Sequence, residues 1–158
     1  MSNPPSRQTD IALSLAGAKC RKFSFTDYGR SNKATIPDDH YEFSLSVIVS
    51  TSNLTQEINV KLDSQLFERK NAQLKLELAE IQVSCCFYIQ NLDDLISKRP
   101  KGDLIIPDPL LHWCTNITLG VARGMFALKL EKTLYANALL PLVDTNLLTT
   151  VTYLEGES

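Results

Sequence analysis

Three runs between Tyr41 and Ile89 place their apolar residues on alternate positions, and a period of two is the signature of a strand with one buried face. Tyr41, Phe43, Leu45, Val47 and Val49 alternate with Glu42, Ser44, Ser46 and Ser50, and only Ile48 breaks the polar face. After the turn signal Ser52-Asn53, Ile58, Val60 and Leu62 alternate with Asn59, Lys61 and Asp63, so a neighbouring strand pairs antiparallel across the short connection. A polar turn over residues 68–72 leads into the third run. Here Leu74, Leu76 and Leu78 lie on even positions, whereas Ile81, Val83, Cys85, Phe87 and Ile89 lie on odd ones. A period-two pattern that changes phase needs one extra residue, because otherwise its second half would face water. The expectation is a β-bulge or sharp kink at Ala79-Glu80. The Leu- and Glu-rich stretch Leu74–Glu80 could also suit a helix, but its strict alternation argues for a strand.

A further strand precedes these, with Ile11, Leu13, Leu15, Phe23 and Phe25 all on odd positions and Gly17 in the middle, where a bend or bulge would relieve its length. Residues 28–39 carry turn chemistry and read as a loop. Beyond Ile89 the period lengthens. Asn91–Ile96 reads as a short helix closed by a turn around Pro100 and Gly102. Asp108-Pro109 reads as a helix start with Asp108 as the cap, and Leu110, Trp113, Cys114, Ile117 and Val121 as one apolar stripe. Gly124 is a natural stop. A less regular apolar segment, Phe126 to Val143, leads to Asp144 as a second cap and a last helix bearing Leu147, Leu148, Val151 and Leu154. Strands first and helices later give an α+β domain with helices packed on one face of an antiparallel sheet. The chain reads as a single domain, 1–158, with residues 1–9 and 155–158 as flexible ends.

Composition narrows the function. The chain has 158 residues, is 44% hydrophobic and carries a formal net charge of −2. Its basic residues are dispersed, the longest block being Lys98-Arg99-Pro100-Lys101, which argues against a nucleic-acid partner. No run approaches the roughly 18 apolar residues of a membrane span. The first residues lack the apolar core of a secretory signal, so a cytoplasmic location is expected. The four cysteines, Cys20, Cys85, Cys86 and Cys114, match no zinc or redox spacing and read as small apolar residues in a reducing compartment. His40 and His112 are too few for a metal centre. His112 and Cys114 point to different faces of a helix, which leaves Cys–His catalysis without support. Six single glycines form no phosphate loop. The expectation is a non-enzymatic protein without cofactor or metal.

Three stretches, in order, resemble the SecB family of protein-export chaperones. The run Leu78-Ala79-Glu80-Ile81 through Phe87-Tyr88-Ile89 is similar to the family's last strand. Val121-Ala122-Arg123-Gly124-Met125-Phe126 is similar to the end of its long helix, and Leu140-Pro141-Leu142-Val143-Asp144 to the segment before its terminal helix. The resemblance spans roughly residues 11–154. It implies a four-stranded antiparallel sheet with helices on one side, a homotetramer built as a dimer of dimers, and ATP-independent holding of non-native polypeptides. Clients on this reading are chains bound for export or a dedicated client such as the antitoxin of a toxin–antitoxin system. Tyr41, Phe43, Phe87 and Trp113 become candidates for core or client-groove lining. Leu78 and Glu80 become candidates for contact with the motor SecA. Arg21, Lys22 and Thr26 stand on the first strand where the resemblance would lead one to expect acidic residues, which points to a diverged member with weak or absent SecA binding. The low-charge segment from Ile11 to Ala18 is the candidate edge for pairing between copies. The rival expectation is a non-enzymatic adaptor that uses the same fold to bind one folded partner.

Overall fold

The structure is a computed structural model, and it describes residues 11–29, 36–52, 55–98, 100, 104–145 and 153–155. Four long antiparallel strands form the body: β1 (Leu13–Phe25), β2 (Tyr41–Ser52), β3 (Glu57–Arg69) and β4 (Lys75–Ile89). A short helix α1 (Leu92–Leu95), a two-stranded ribbon of β5 (Ser97–Lys98) and β6 (Leu104–Ile105), and the long helix α2 (Asp108–Leu130) follow. The last described element is β7 (Tyr153–Glu155), and the sheet order is β1-β4-β3-β2-β7. The sheet thus holds four antiparallel strands, with β7 added in parallel to β2 through Val49, Ser50 and Thr51. The class is α+β, with α2 packed across β4, β3 and β1.

The alternation in the sequence is the alternation of burial. Ile58, Val60, Leu62 and Leu66 of β3 are fully buried, and their intervening neighbours are half-exposed. Val83, Cys85, Phe87 and Ile89 of β4 and Val47 and Val49 of β2 join them beneath α2, which contributes Leu110, Cys114, Ala122, Phe126 and Leu130. Each of the larger aliphatic and aromatic side chains among them adds roughly 1.5–3 kcal/mol by leaving water. Phe126 anchors the far end of the helix, meeting Phe23 and Phe43 edge-on with ring centroids 6.2 Å away in both cases. Edge-to-face pairs of this kind add about 0.5–1.5 kcal/mol beyond the area they bury.

Phase is kept by extra residues. In β4, Leu66 of β3 faces Ala79 and Phe67 faces Glu77, so Leu78 is the unmatched residue and the bulge sits one step before the expected Ala79-Glu80. Leu78 and Ala79 are consecutively buried, as a bulge permits. In β1 the pairing shifts between Leu15 and Gly17, where a break was expected, and again between Cys20 and Lys22. The second shift was not foreseen. Between the two, Ala18 and Cys20 replace the odd-numbered residues on the core face.

Several helix expectations are corrected. Pro107, not Asp108, is the N-cap of α2, and Asp108 is its first residue with no side-chain capping bond. Gly124 does not stop the helix, which runs on to Leu130, because a glycine ends a helix only where the chain turns to positive φ and Gly124 does not. The stripe is rotated from that expected: Trp113 and Ile117 are exposed, while Leu111, Thr115, Thr118 and Leu119 are buried. Leu154 lies in β7 instead of a terminal helix, and Glu155 is paired instead of loose. Leu147, Leu148 and Val151 lie outside the described residues, as do the arm 1–9, most of the loop core at 30–35, and Arg99 and Lys101 of the basic block. Among the described residues no helix is long and apolar enough to cross a membrane.

Leu62→Ala should lower stability by about 2–5 kcal/mol, as expected for truncating a fully buried leucine. Leu142→Ala, at a 78% exposed position, should change it by less than about 0.5 kcal/mol. Urea unfolding midpoints of the two variants check this, and similar losses would contradict the assigned core.

Candidate functional site

After α2 the chain turns at residues 131–137 and runs back beside the start of β2 without regular structure. Tyr135 fastens the turn, its ring fully buried and its hydroxyl donating to the Thr26 carbonyl at 2.7 Å. Asn137 fastens the return: it accepts from the Tyr41 hydroxyl at 2.8 Å and donates through Nδ2 to Asp38 Oδ1 at 2.8 Å. Between this segment and β2 lies a cleft of about 500 Å³, walled by Tyr41, Phe43, Asn137, Leu139 and Pro141, with Asp38 and Glu42 at its polar margin. Phe43 connects the cleft to the core through its edge-on contact with Phe126.

Several apolar side chains of this segment and of α2 are exposed. Ala138 and Leu140 point into the core, which leaves Leu139 half-exposed and Leu142 almost fully exposed. On α2, Trp113, Ile117 and Leu128 also remain exposed, Leu128 by 71%. Single exposed apolar residues are ordinary on a protein surface, and among these Leu139 is the one that lines the cleft.

The four expected client contacts therefore part company. Tyr41 and Phe43 wall the same cleft. Phe87 is fully buried at the centre of the sheet and is a core residue, unable to touch a ligand without unfolding. Trp113 is accessible on α2 but does not line the cleft. Leu139 and Pro141 were missed as individual residues, although they lie in the less regular apolar segment Phe126 to Val143.

The opposite face of the sheet is polar and self-paired. Lys22 Nζ lies 2.5 Å from Glu80 Oε1, and the Ser24 hydroxyl donates to the same oxygen at 3.0 Å. Arg21, on the same strand, donates from Nε to the Ser84 hydroxyl at 2.8 Å. Glu42 takes an ion pair from Arg69 at 2.7 Å and another from Lys75. Asp63 accepts from Gln82 Nε2 at 2.5 Å. Glu80 thus faces solvent, but its charge is spent within the sheet. Leu78, the other expected partner contact, is fully buried as the bulged residue and offers nothing to that face.

These contacts shift the titration of the groups involved. The Lys22 ammonium beside Glu80, helped by the Ser24 hydroxyl, holds the Glu80 carboxyl below its usual range, and the same pair raises Lys22. Lys75 and then Arg69 lower Glu42. Burial pushes the Cys114 thiol up to about 12 and also raises Cys85 and Cys86. All four cysteines are free thiols, and a raised thiol is a poor nucleophile at neutral pH. Among the described residues no group of three or more His, Cys, Asp or Glu could hold a metal ion. No protein-family model matches the chain, and no curated protein matches it.

Glu80 has a lowered folded pKa, so its pairing is present above the ordinary glutamate range and is lost as pH falls through the folded value. Lys22 has a raised pKa, so its share is present below the ordinary lysine value and is lost as pH rises through the folded one. An NMR titration should find Glu80 below free glutamate, and Lys22→Ala should move it back up. An unmoved Glu80 would contradict the pair. Native Cys85 and Cys114 should resist a thiol reagent at neutral pH until the protein is unfolded, and labelling at the rate of a free thiol would contradict their burial.

Proposed function

We propose that the chain is a SecB-like holdase, which binds apolar stretches of non-native polypeptides without ATP and keeps them from aggregating. The observation that carries this reading is the aromatic-floored cleft of Tyr41 and Phe43, bordered by Leu139 and Pro141. Tyr41 and Phe43 pack against the core on one side and stay half-buried on the other, so the accessible part of each is surface available to a ligand. The cleft is open and mainly apolar, which favours a variable polypeptide over a small molecule held by several convergent polar groups. The sequence resemblance to the SecB family supports the same reading.

The reading includes assembly. The outer edge of β1 is paired with no strand among the described residues, and a thirteen-residue edge invites symmetric pairing with a second copy. Trp113, Ile117 and Leu128 on α2 offer a second contact, which suits a dimer of dimers. For the partner that takes clients onward, the paired acids of the outer face matter. Complementary charge governs encounter and partner choice, and Glu80, Glu42 and Asp63 are already engaged. SecA binding is expected to be weak or absent, and a dedicated client such as an antitoxin remains in keeping with the apolar cleft.

Light scattering of a thermally unfolding client should show suppression at a stoichiometric ratio, reduced several-fold by Leu139→Asp with the fold intact by circular dichroism. No suppression by the unaltered chain sinks the reading. Competition by unrelated unfolded chains separates a holdase from an adaptor, since an adaptor's single folded partner would not be displaced. Sedimentation at micromolar concentration should give a dimer or tetramer, and a 17.7 kDa monomer would refute assembly. Titration with SecA should show no tight, salt-sensitive binding, whereas tight binding abolished by Glu80→Lys would show that the outer face is a motor contact after all.

A further inference from the structure

The outer face of the sheet engages its acids but leaves several cations without a counter-charge. One row across four strands reads Lys19 on β1, Ser84 on β4, Lys61 on β3 and Ile48 on β2. Arg21 joins this row, its Nε donating to the Ser84 hydroxyl at 2.8 Å. The pairing shift between Cys20 and Lys22 makes that possible. Arg21 is the unmatched residue there, so Arg21 and Lys22 stand on one face while Cys20 and Phe23 keep to the core side. Lys22 is held by Glu80. Among the described residues neither Lys19 nor Arg21 has a carboxylate within ion-pair distance, and Lys61 has only Asp63, at 4.0 Å. Asp63 itself is engaged more closely by Gln82. The adjoining row, Gly17, Cys86, Asn59 and Ser50, brings no acidic residue. Ile48, the one apolar break in the polar face of β2, stands directly beside Lys61.

We infer that this row is a docking site for an acidic segment of a partner protein: Lys19, Arg21 and Lys61 take its carboxylates, and an apolar side chain of the same segment seats on Ile48. The site is separate from the cleft and does not rest on the holdase reading. Its charge selects the class of partner. Lys19 and Lys61 flank β4, roughly 10 Å apart at the backbone by two strand spacings, which suits separate carboxylates along one segment. A small anion has less to hold it. The interior strands β3 and β4 use their N–H groups in ladders on both sides, so no backbone donor points out of the face. Screened side chains alone would bind a lone anion weakly, whereas carboxylates linked on one chain add their contributions. A nucleic acid carries a charge about every 1.7 Å of duplex and rewards a long basic track. Here the cations end at Ile48 on one side and give way to the paired Glu80 and Asp63 on another. Strand side chains stand perpendicular to the sheet, so pairing of two copies along the edge of β1 leaves this face open. Complementary charge governs encounter rate and partner choice, and binding here should be fast, salt-sensitive and of modest affinity.

The test uses the full chain and a fluorescent synthetic peptide in which glutamates flank a single leucine, beside a second peptide with glutamine in place of each glutamate. Anisotropy at low ionic strength should show the acidic peptide binding and the glutamine peptide about tenfold weaker or worse. Raising the salt to about 0.15 M, where charges are screened beyond about 8 Å, should weaken the acidic peptide several-fold. Lys19→Gln, Arg21→Gln and Lys61→Gln should each lower its affinity about two- to fivefold, with the fold intact by circular dichroism. Ile48→Ser should lower it about two- to threefold and leave the salt dependence unchanged. Glu80→Gln should raise it about twofold, because Lys22 is then released to the row. Failure of the acidic peptide to bind, equal affinity for the two peptides, or no effect of the three cation variants would overturn the inference. Weaker binding by Glu80→Gln would overturn it too, since the acids and not the cations would then make the contact. Displacement of the peptide by inorganic phosphate at matched ionic strength would overturn it in favour of a small-anion site. Duplex DNA binding as tightly as the peptide, and weakened by the same variants, would overturn it in favour of a nucleic acid.

Discussion

A strand shows a constant face to a core only while its side chains stay in phase, and the body of this fold depends on that phase being kept over strands of twelve to fifteen residues. Unmatched residues keep it. Leu78 in β4 and the two shifts in β1 let the same face stay beneath α2 while the strands twist along their neighbours. Without the extra residue at Leu78, the run Ile81 to Ile89 would turn its apolar side chains to water and place Glu80, Gln82 and Ser84 under the helix. Burial of uncompensated polar groups there would cost several times what one misplaced methyl costs. The bulges are thus part of the hydrophobic core, although they are backbone features.

That strict division gives the protein two unlike surfaces. The outer face satisfies itself, serine with glutamine, lysine with glutamate, arginine with serine, and so presents little unpaired negative charge. Exposed pairs of this sort are screened by solvent and contribute little stability, but they determine what the face fails to attract. On the helix side the segment after α2 is fastened by Tyr135 and Asn137 and leaves Leu139 and Leu142 outward. Two anchors on a chain without regular hydrogen bonding hold the cleft open at its margin while Phe43 and Phe126 stiffen its floor.

The sheet was legible because period-two alternation is a local signal, and Tyr41–Val49 and Ile58–Leu62 carry it almost without fault. Even the bulge in β4 could be inferred to within one residue, since Leu78 and Ile81 disagree in phase. The second shift in β1 left no such trace: Ala18 and Cys20 are small and Lys19, Arg21 and Lys22 surround them, so the brief even-numbered phase is hidden. The helix was legible in outline but not in rotation. Trp113 and Ile117 are as apolar as Leu111 and Leu119, and which set is buried depends on the sheet beneath, not on the helix itself. For the cleft, Tyr41 and Phe43 could be proposed from the strand pattern, whereas Phe87, chosen on the same grounds, lies on a central strand with cover on both sides. Leu139 and Pro141 could not be singled out, because their position depends on hydrogen bonds between residues nearly a hundred positions apart. The expected last helix failed at Leu154, where the backbone pairs with β2.

The central claim is that unfolded chains dock on the cleft side of the molecule and not on the polar sheet face. Site-specific photocrosslinking tests it most directly, with a photoreactive residue placed either at Leu139 or at the solvent-facing Gln65 and the same client offered unfolded or folded. Crosslinks from position 139 to the unfolded client alone, with few from position 65, are the predicted result. Equal crosslinking from both positions, or crosslinking of the folded client from position 139, would contradict it.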